Sequence, residues 1–121
     1  MKEHNHITGK HGEEIAEEFL NNNGYKIVTR NYRCRFGEID IIAAKENTLI
    51  FVEVKTRSHQ RYGLPRESVT YTKQRVIIKT AQQYIQRFKI KDKLFRFDVI
   101  EVYYDKQPTK IVHIDNAFSL Y

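Results

Sequence analysis

Two runs of mostly apolar residues, at 39–43 and 49–54, stand on either side of Glu46-Asn47. Both runs are rich in residues with a high propensity for strands, and two polar residues between such runs are typical of a β-hairpin. Side chains alternate between the two sides of a strand, and here both sides are largely apolar. We therefore predict a hairpin whose two faces are both covered by other parts of the fold.

The turn determines which residues face each other across this hairpin. With a two-residue loop, Asp40 is expected opposite Glu53, and Glu38 opposite Lys55, all on one face. Opposed carboxylates repel, and a divalent cation between them removes the repulsion. The pattern predicts that Asp40 and Glu53 bind Mg²⁺ or Mn²⁺ while Lys55 holds a phosphate or polarises a water. The alternative is an exposed face on which Glu38 pairs with Lys55 and the other carboxylates are solvated.

The spacing of apolar residues elsewhere predicts two helices and three further strands. One apolar stripe indicates a helix over residues 9–22, preceded by a mobile segment at 1–7. A second stripe indicates a longer helix that begins at Ser68 or Thr72 and ends at Phe88. Additional strands are expected at residues 25–32, 94–103 and 110–114.

The predicted order of elements is α-β-β-β-α-β, followed by one more strand. This alternation indicates an α/β fold with helices on both faces of a mixed central sheet. A length of 121 residues fits a single domain, spanning residues 1–121, with one core. The two helices would then cover the two apolar faces of the hairpin.

The charge balance indicates a class of partner. The chain has 21 Lys and Arg against 15 Asp and Glu, a net charge of +6. A basic surface is typical of proteins that bind nucleic acid, although an anionic membrane or simple solubility would also explain it. Cys34 is the single cysteine and excludes an internal disulfide, which fits a reducing cytoplasm. Because no apolar run approaches the ~20 residues of a membrane span, we expect a cytoplasmic protein.

Arginines flank the open end of the hairpin. Arg33 and Arg35 precede its first strand, and Arg57, Arg61 and Arg66 follow its second strand. Arginine forks near a metal suit a phosphodiester group, whereas arginines in loops are otherwise merely solvated. Their shared position favours nucleic-acid binding by all five.

The residues of the hairpin also resemble a known motif. Asp40, followed across a short hairpin by Glu53-Val54-Lys55, is similar to the PD-(D/E)xK motif of restriction-endonuclease-like nucleases, with Ile39 where the motif has proline. A wider frame resembles the bacterial YraN family, described as nuclease-like and related to archaeal Holliday-junction resolvases. That frame comprises Gly37-Glu-Ile-Asp40, Phe51-Val-Glu-Val-Lys-Thr-Arg57, Arg96-Phe-Asp-Val-Ile100 and His113-Ile-Asp-Asn-Ala-Phe118.

The resemblance implies a fold, a third metal ligand and a substrate class. The implied fold is the αβββαβ core of restriction-endonuclease-like proteins, with one added C-terminal strand. Archaeal resolvases bring a glutamate of the first helix to their metal, with a Gly-x-x-x-Glu spacing that Gly9 and Glu13 reproduce. Glu13 is one candidate for this role, Glu17 is its rival one turn later, and Glu38 of the hairpin is another candidate.

The sequence thus predicts a DNA endonuclease that depends on Mg²⁺ or Mn²⁺ and acts on branched or recombination DNA. Asp40, Glu53 and Lys55 would be its catalytic residues. The first alternative is a nucleic-acid-binding module of the same fold that does not cut, although such a module has no reason to keep a repelling pair of carboxylates. The second alternative is a scaffold that forms a homodimer through one helix face. His113 and Asp115 belong to the motif frame and carry no predicted chemical role.

Overall fold

The computed structural model describes residues 2–57, 69–104 and 108–119, with side chains from residue 11 onwards. Arg61 and Arg66, two of the predicted nucleic-acid contacts, lie outside the described residues. Within the described ranges, the chain forms two helices and five strands in the predicted order: α1 (Lys2–Asn22), β1 (Lys26–Cys34), β2 (Gly37–Lys45), β3 (Thr48–Arg57), α2 (Tyr71–Arg87), β4 (Leu94–Tyr103) and β5 (Lys110–Phe118).

Two boundaries differ from the sequence prediction. Helix α1 begins at Lys2 rather than near residue 9, so it includes most of the segment that we expected to be mobile. The mobility of that segment stays a prediction. Strand β5 continues to Phe118 instead of ending near residue 114, because the ring of Phe118 stacks on Phe97 at a centroid distance of 5.2 Å.

The five strands form one mixed sheet in the order β1-β2-β3-β4-β5. Strand β3 pairs in parallel with β4, and the other neighbours are antiparallel. Helix α2 connects the two parallel strands, as a parallel pair requires a crossover. This architecture confirms the predicted α/β fold, an αβββαβ core of the restriction-endonuclease-like kind with one added C-terminal strand. Among the described residues, no helix combines the length and the apolar character needed to cross a membrane.

Each helix covers one face of the sheet. Ala16 and Leu20 of α1 are fully buried against one face, and Ile77 and Ala81 of α2 are buried against the other. Burying a side chain of the size of Leu or Ile contributes roughly 1.5–3 kcal/mol to stability. The sequence prediction that both faces of the hairpin are covered is therefore confirmed.

Two glycines bring both helices close to the same end of the hairpin. A Cβ atom at Gly12 of α1 would lie 2.2 Å from Cγ2 of Thr56, near the end of β3. A Cβ atom at Gly37, where β2 begins, would lie 2.5 Å from Cγ1 of Val76 on α2. Both contacts need glycine, because real Cβ atoms do not approach so closely. Both helices therefore reach the part of the hairpin that carries its carboxylates.

The buried carboxylate of Asp98 links β4 to β5, at the edge of the sheet away from β1. Asp98 is completely buried and accepts two hydrogen bonds from Arg96, at 2.9 and 2.8 Å. It also lies 2.7 Å from Nε2 of His113 and accepts a bond from the backbone N–H of Asn116. Burial alone would raise the pKa of Asp98, but the bonds from His113 and Arg96 outweigh burial and lower it. His113, which had no predicted role, thus serves to hold β5 on β4.

Candidate active site

The hairpin is paired as predicted only as far as Ile41 and Val52. Beyond that pair the ladder stops, so the expected direct pairing of Asp40 with Glu53 is wrong. The reason is a side-chain hydrogen bond: Oδ2 of Asp40 accepts from the backbone N–H of Val54 at 2.8 Å. A carboxylate therefore occupies a position where a regular ladder would have a backbone carbonyl. The two strands separate there, and the carboxyl group of Asp40 lies between them.

The alternation of faces along β2 also breaks at Asp40. Ile41 belongs to the core under α1, whereas Ile39 belongs to the core under α2. Residues two apart in a regular strand lie on the same face. A regular hairpin, as predicted, would place Ile39 and Ile41 on one face, and this part of β2 is therefore not regular.

Strand β1 shows the matching irregularity at Asn31. Arg30 reaches towards α1, where its Nε lies 2.7 Å from Glu17, whereas the ring of Tyr32 packs on Tyr84 of α2. Asn31 between them has φ of +50°, in the left-handed region, which asparagine tolerates better than most residues. The sequence analysis did not identify Asn31. An asparagine inside a β-prone run was the signal that could have done so.

Four carboxylates influence one another electrostatically where the strands separate, and we call them the acidic cluster: Asp40, Glu53, Glu13 and Glu38. The pKa of Asp40 is raised to about 7, first by burial and then by the negative charge of Glu53. The hydrogen bond from Val54 opposes this rise, and the charges of Glu13 and Glu38 add to it. The predicted neighbourhood of Asp40 and Glu53 is therefore present, although the two residues are not paired in the ladder.

Glu13 of α1 takes part in the same electrostatic group. Burial and the charges of Glu38, Glu17 and Glu53 raise its pKa, while a hydrogen bond from the side chain of Asn31 lowers it. Its charge acts on Asp40 more strongly than that of Glu38 does. Of the candidate third ligands, Glu13 therefore has the better placement.

Two lysines approach the carboxylate of Glu53, which is buried. Nζ of Lys55 lies 3.5 Å from Oε2 of Glu53, and Nζ of Lys73 lies 3.9 Å from the same oxygen. Lys55 was predicted here, whereas Lys73 was not among the predicted site residues. The pattern of β3 does not indicate it, because Lys73 comes from the first turn of α2, which Thr70 caps through the backbone N–H of Lys73.

Glu38 does not form the ion pair on which the alternative of a solvated face depended. Its carboxylate lies 3.2 Å from Nε of Arg33, its neighbour across β1 and β2. Lys55 instead pairs with Glu53. The predicted pairing of Glu38 with Lys55 is therefore wrong, and the burial of Glu53 does not fit a solvated face.

The described arginines of the predicted nucleic-acid surface have different surroundings. Arg33 is largely exposed, and the guanidinium of Arg35 lies over the ring of Phe36, 4.8 Å from its centroid. Arg57 points inward, and its Nε donates to the buried carboxylate of Glu101 at 2.7 Å. Because Glu101 would otherwise be a buried and unpaired charge, we assign Arg57 to the stability of the sheet rather than to DNA binding.

The acidic cluster fits a hard divalent cation that also takes ligands from a substrate. Within the described ranges, no group of three or more Asp, Glu, His or Cys residues forms a ready-made metal cage. Mg²⁺ is commonly held by one or two carboxylates, with water and substrate phosphates completing its octahedron. Asp40 and Glu53 supply two such carboxylates, and the pKa of Asp40 is raised by burial and by the negative charge of Glu53.

Comparisons with known proteins identify the family. The family model described as "Uncharacterised protein family UPF0102" matches residues 12–102, which include the whole acidic cluster and both lysines. A UPF0102 protein of Caldicellulosiruptor saccharolyticus is 49% identical over 112 residues, covering 91% of this chain and 95% of the relative. One from Caldanaerobacter subterraneus is 47% identical over 122 residues, covering 98% of this chain and 100% of the relative. The chain belongs to the UPF0102 family, and this confirms the resemblance to the YraN family that its motifs indicated.

Proposed function

We propose that this protein is an endonuclease that depends on Mg²⁺ or Mn²⁺ and hydrolyses phosphodiester bonds in DNA, with branched or recombination DNA as its substrate. The observation that supports the proposal is the carboxyl group of Asp40, whose pKa is raised to about 7 by burial and by the charge of Glu53. Such a shift costs stability when the group is ionised, and perturbed carboxylates of this kind concentrate at functional sites.

Each residue of the site has a role in this proposal. Asp40 and Glu53 would hold the cation, with Glu13 as the third carboxylate. The cation would supply Lewis-acid stabilisation of the phosphate and a lower pKa for an attacking water. Asp40 has to lose its proton before it can act as a ligand, so binding is favoured above the pKa of its carboxyl group.

The lysines act on the water and on the phosphate. Lys55 orients the water that attacks phosphorus, and Lys73, on the other side of Glu53, neutralises a phosphate oxygen. The water loses a proton as its oxygen bonds to phosphorus. One P–O bond to a sugar breaks, and the released sugar oxygen takes up a proton.

The second candidate is a module of the same fold that binds nucleic acid without cutting. Lys55 and Lys73 already lie near Glu53, so this carboxylate is partly neutralised without a cation. Burial and the charge of Glu53 raise the pKa of Asp40, and a bound cation would offset both, which favours the nuclease. We place the activity in the cytoplasm, where the free thiol of Cys34 stays reduced. Formation of a homodimer stays a prediction.

Cleavage assays test the proposal directly. Purified protein is incubated with labelled four-way junction, splayed and linear DNA, in Mg²⁺, Mn²⁺ or EDTA. Asp40→Asn, Glu53→Gln and Lys55→Ala are each expected to lower the metal-dependent rate about 100-fold or more, and double variants should add little to that. Circular dichroism establishes that the variants remain folded.

Glu14→Gln provides the matched control for Glu13→Gln. Glu14 is the exposed neighbour of Glu13 on α1, so its variant removes one negative charge without touching the acidic cluster. It should cut like the wild type, whereas Glu13→Gln should cut more slowly. Asp40→Asn protein that cuts at the wild-type rate would remove Asp40 from the site. Wild-type protein that binds these DNAs but cuts none of them with either metal would establish the non-cleaving alternative.

A further inference from the structure

Two adjoining cavities lie between the turn from β1 to β2 and the outer side of α2. Their volumes are about 710 and 410 Å³, and both are lined by Arg35, Phe36 and Lys79. The smaller cavity extends to Tyr71 at the start of α2, and the larger extends to Gln86 near its end. Because they share three lining residues, we treat them as one groove and call it the α2 groove.

The groove is positively charged and presents aromatic rings. Arg35, Arg75 and Lys79 line it, and no Asp or Glu is among the described residues that do so. The side chains of Phe36 and Tyr71 are 39% and 73% exposed, so both rings are accessible to a ligand in the groove. Cations beside exposed aromatic rings are complementary to a strand that carries phosphates and unpaired bases.

The groove leads away from the proposed site of cleavage. Helix α2 carries Lys73 in its first turn, 3.9 Å from Glu53, and the groove follows the same helix to Gln86. From residue 71 to residue 86 the helix rises about 22 Å at ~1.5 Å per residue. At ~3.4 Å per nucleotide, that length accommodates about six stacked nucleotides. The groove and Lys73 therefore share helix α2, and the groove is long enough for a short single strand.

The wall of the groove opposite α2 is held in place by packing. Gly37 approaches α2 so closely that its missing Cβ would clash with Val76, and it follows directly on the turn that carries Arg35 and Phe36. The guanidinium of Arg35 lies over the ring of Phe36. Arg35 and Phe36 thus lie on a turn that contacts the helix directly. This contact fixes the position of the turn, so that a nucleobase can stack on it.

We propose that the α2 groove binds an unpaired nucleic-acid strand, with phosphates on Arg35, Arg75 and Lys79 and a base stacked on Phe36. A duplex hides the faces of its bases, so only an unpaired strand can use the exposed ring. For the substrate class, the inference rests on the proposed function: the DNA that is cut would carry a single strand next to the cleaved bond. The binding itself does not depend on cleavage.

Fluorescence anisotropy in EDTA tests this binding, because cleavage cannot occur without a cation. The probes are a labelled dT₁₂ strand and a labelled blunt 12-base-pair duplex. Phe36→Ala should weaken dT₁₂ binding about fivefold or more and leave duplex binding nearly unchanged. Phe36→Tyr, which keeps a ring for stacking, should restore dT₁₂ binding, and thermal melts should show that both variants are folded.

Lys79→Ala tests the charge of the groove against a matched control. It should flatten the salt dependence of dT₁₂ binding by ~0.7 in log–log slope, the value for one phosphate contact on a single strand. Lys91→Ala removes one exposed positive charge from the turn after α2, away from the groove, and should leave the slope unchanged. Equal effects of Lys79→Ala and Lys91→Ala, or equal losses of dT₁₂ and duplex binding in Phe36→Ala, would overturn the inference.

These outcomes separate the groove from the nuclease. Groove variants that lose dT₁₂ binding in a protein that never cuts would uphold the groove and refute the proposed function. Groove variants that bind dT₁₂ like the wild type, in a protein whose cutting requires Asp40, would refute the groove and uphold the nuclease.

Discussion

Asp98 and Asp40 are two carboxylates of the same sheet that are largely shielded from solvent. Their electrostatic surroundings have opposite effects on their pKa values. Asp98 receives hydrogen bonds from Arg96 and the backbone of Asn116 and contacts His113, and its pKa is lowered. Asp40 receives one backbone hydrogen bond and faces other carboxylates, and its pKa is raised to about 7. The contrast separates a carboxylate that stabilises the fold from one that lacks positive charge, which is the property expected of a metal ligand.

The largest difference should appear in stability when each carboxylate is neutralised. Asp98→Asn is expected to lower the free energy of unfolding by about 3–5 kcal/mol, because Arg96 keeps its charge in a largely buried position without its partner. Asp40→Asn in EDTA should be as stable as the wild type or more stable. Its amide oxygen can still accept from Val54, while the repulsion with Glu53 is gone. Thermal and urea unfolding of the three proteins provide the comparison.

A similar large loss in both variants would contradict the contrast. It would mean that Asp40 is also a structural carboxylate, held by an interaction that its raised pKa does not reflect. Asp92→Asn, on the exposed turn before β4, is a suitable control for the substitution itself and should change stability little.

A smaller effect is expected when a divalent cation is added. Mn²⁺ or Mg²⁺ at ten times its dissociation constant should stabilise the wild type by about 1.4 kcal/mol, because it binds the folded state. Asp40→Asn, with one ligand neutralised, should gain much less, and Glu14→Gln should gain as much as the wild type. Melting curves across a Mn²⁺ series measure this. Equal gains in wild type and Asp40→Asn would exclude Asp40 from the cation site.

The smallest effect is the pH dependence of stability in EDTA. The pKa of Asp40 is about 7 in the folded protein and near 3.8 in the unfolded chain, so the folded state binds the proton more tightly. Stability conferred by this proton is present at low pH and is lost as the pH rises through 7. From pH 6 to pH 8, the wild type should lose about 1 kcal/mol relative to Asp40→Asn.

Urea unfolding of the two proteins at a series of pH values measures this difference. Because the same proton competes with the cation, the apparent affinity of the wild type for Mn²⁺ should rise over this pH range. A wild type and an Asp40→Asn variant whose stabilities change in parallel would show that the pKa of Asp40 in the folded protein is not near 7.

The sequence was sufficient for the fold and for the proximity of Asp40, Glu53 and Lys55 at one end of the hairpin, whereas their catalytic role stays a prediction. Apolar periodicity and the two-residue turn determine the hairpin, and the pairing is as predicted up to Ile41 and Val52. The prediction failed one residue later, because it assumed a regular ladder of backbone hydrogen bonds. A side-chain oxygen that replaces a backbone acceptor leaves no trace in the alternation of apolar and polar residues.

Contacts between distant elements were the other features that the sequence did not reveal. Lys73 reaches Glu53 only because α2 returns to the end of β3, and His113 meets Asp98 only because β5 pairs with β4. Arg57 looked like the other arginines near the hairpin, and its partner Glu101 lies 44 residues away in the chain. Charge and local spacing cannot distinguish an arginine that pairs with a buried carboxylate from one that binds a phosphate.

The hydrogen bond from Val54 to Asp40 has a consequence for spectroscopy. A charged acceptor gives a shorter and stronger hydrogen bond than a neutral one, and the resonance frequency of an amide proton responds to that strength. The N–H of Val54 donates its hydrogen bond to Asp40, the carboxyl group whose pKa is raised to about 7. A single backbone signal in the nitrogen–proton correlation spectrum of ¹⁵N-labelled protein therefore reports, in the native chain without an added chemical probe, whether Asp40 is charged.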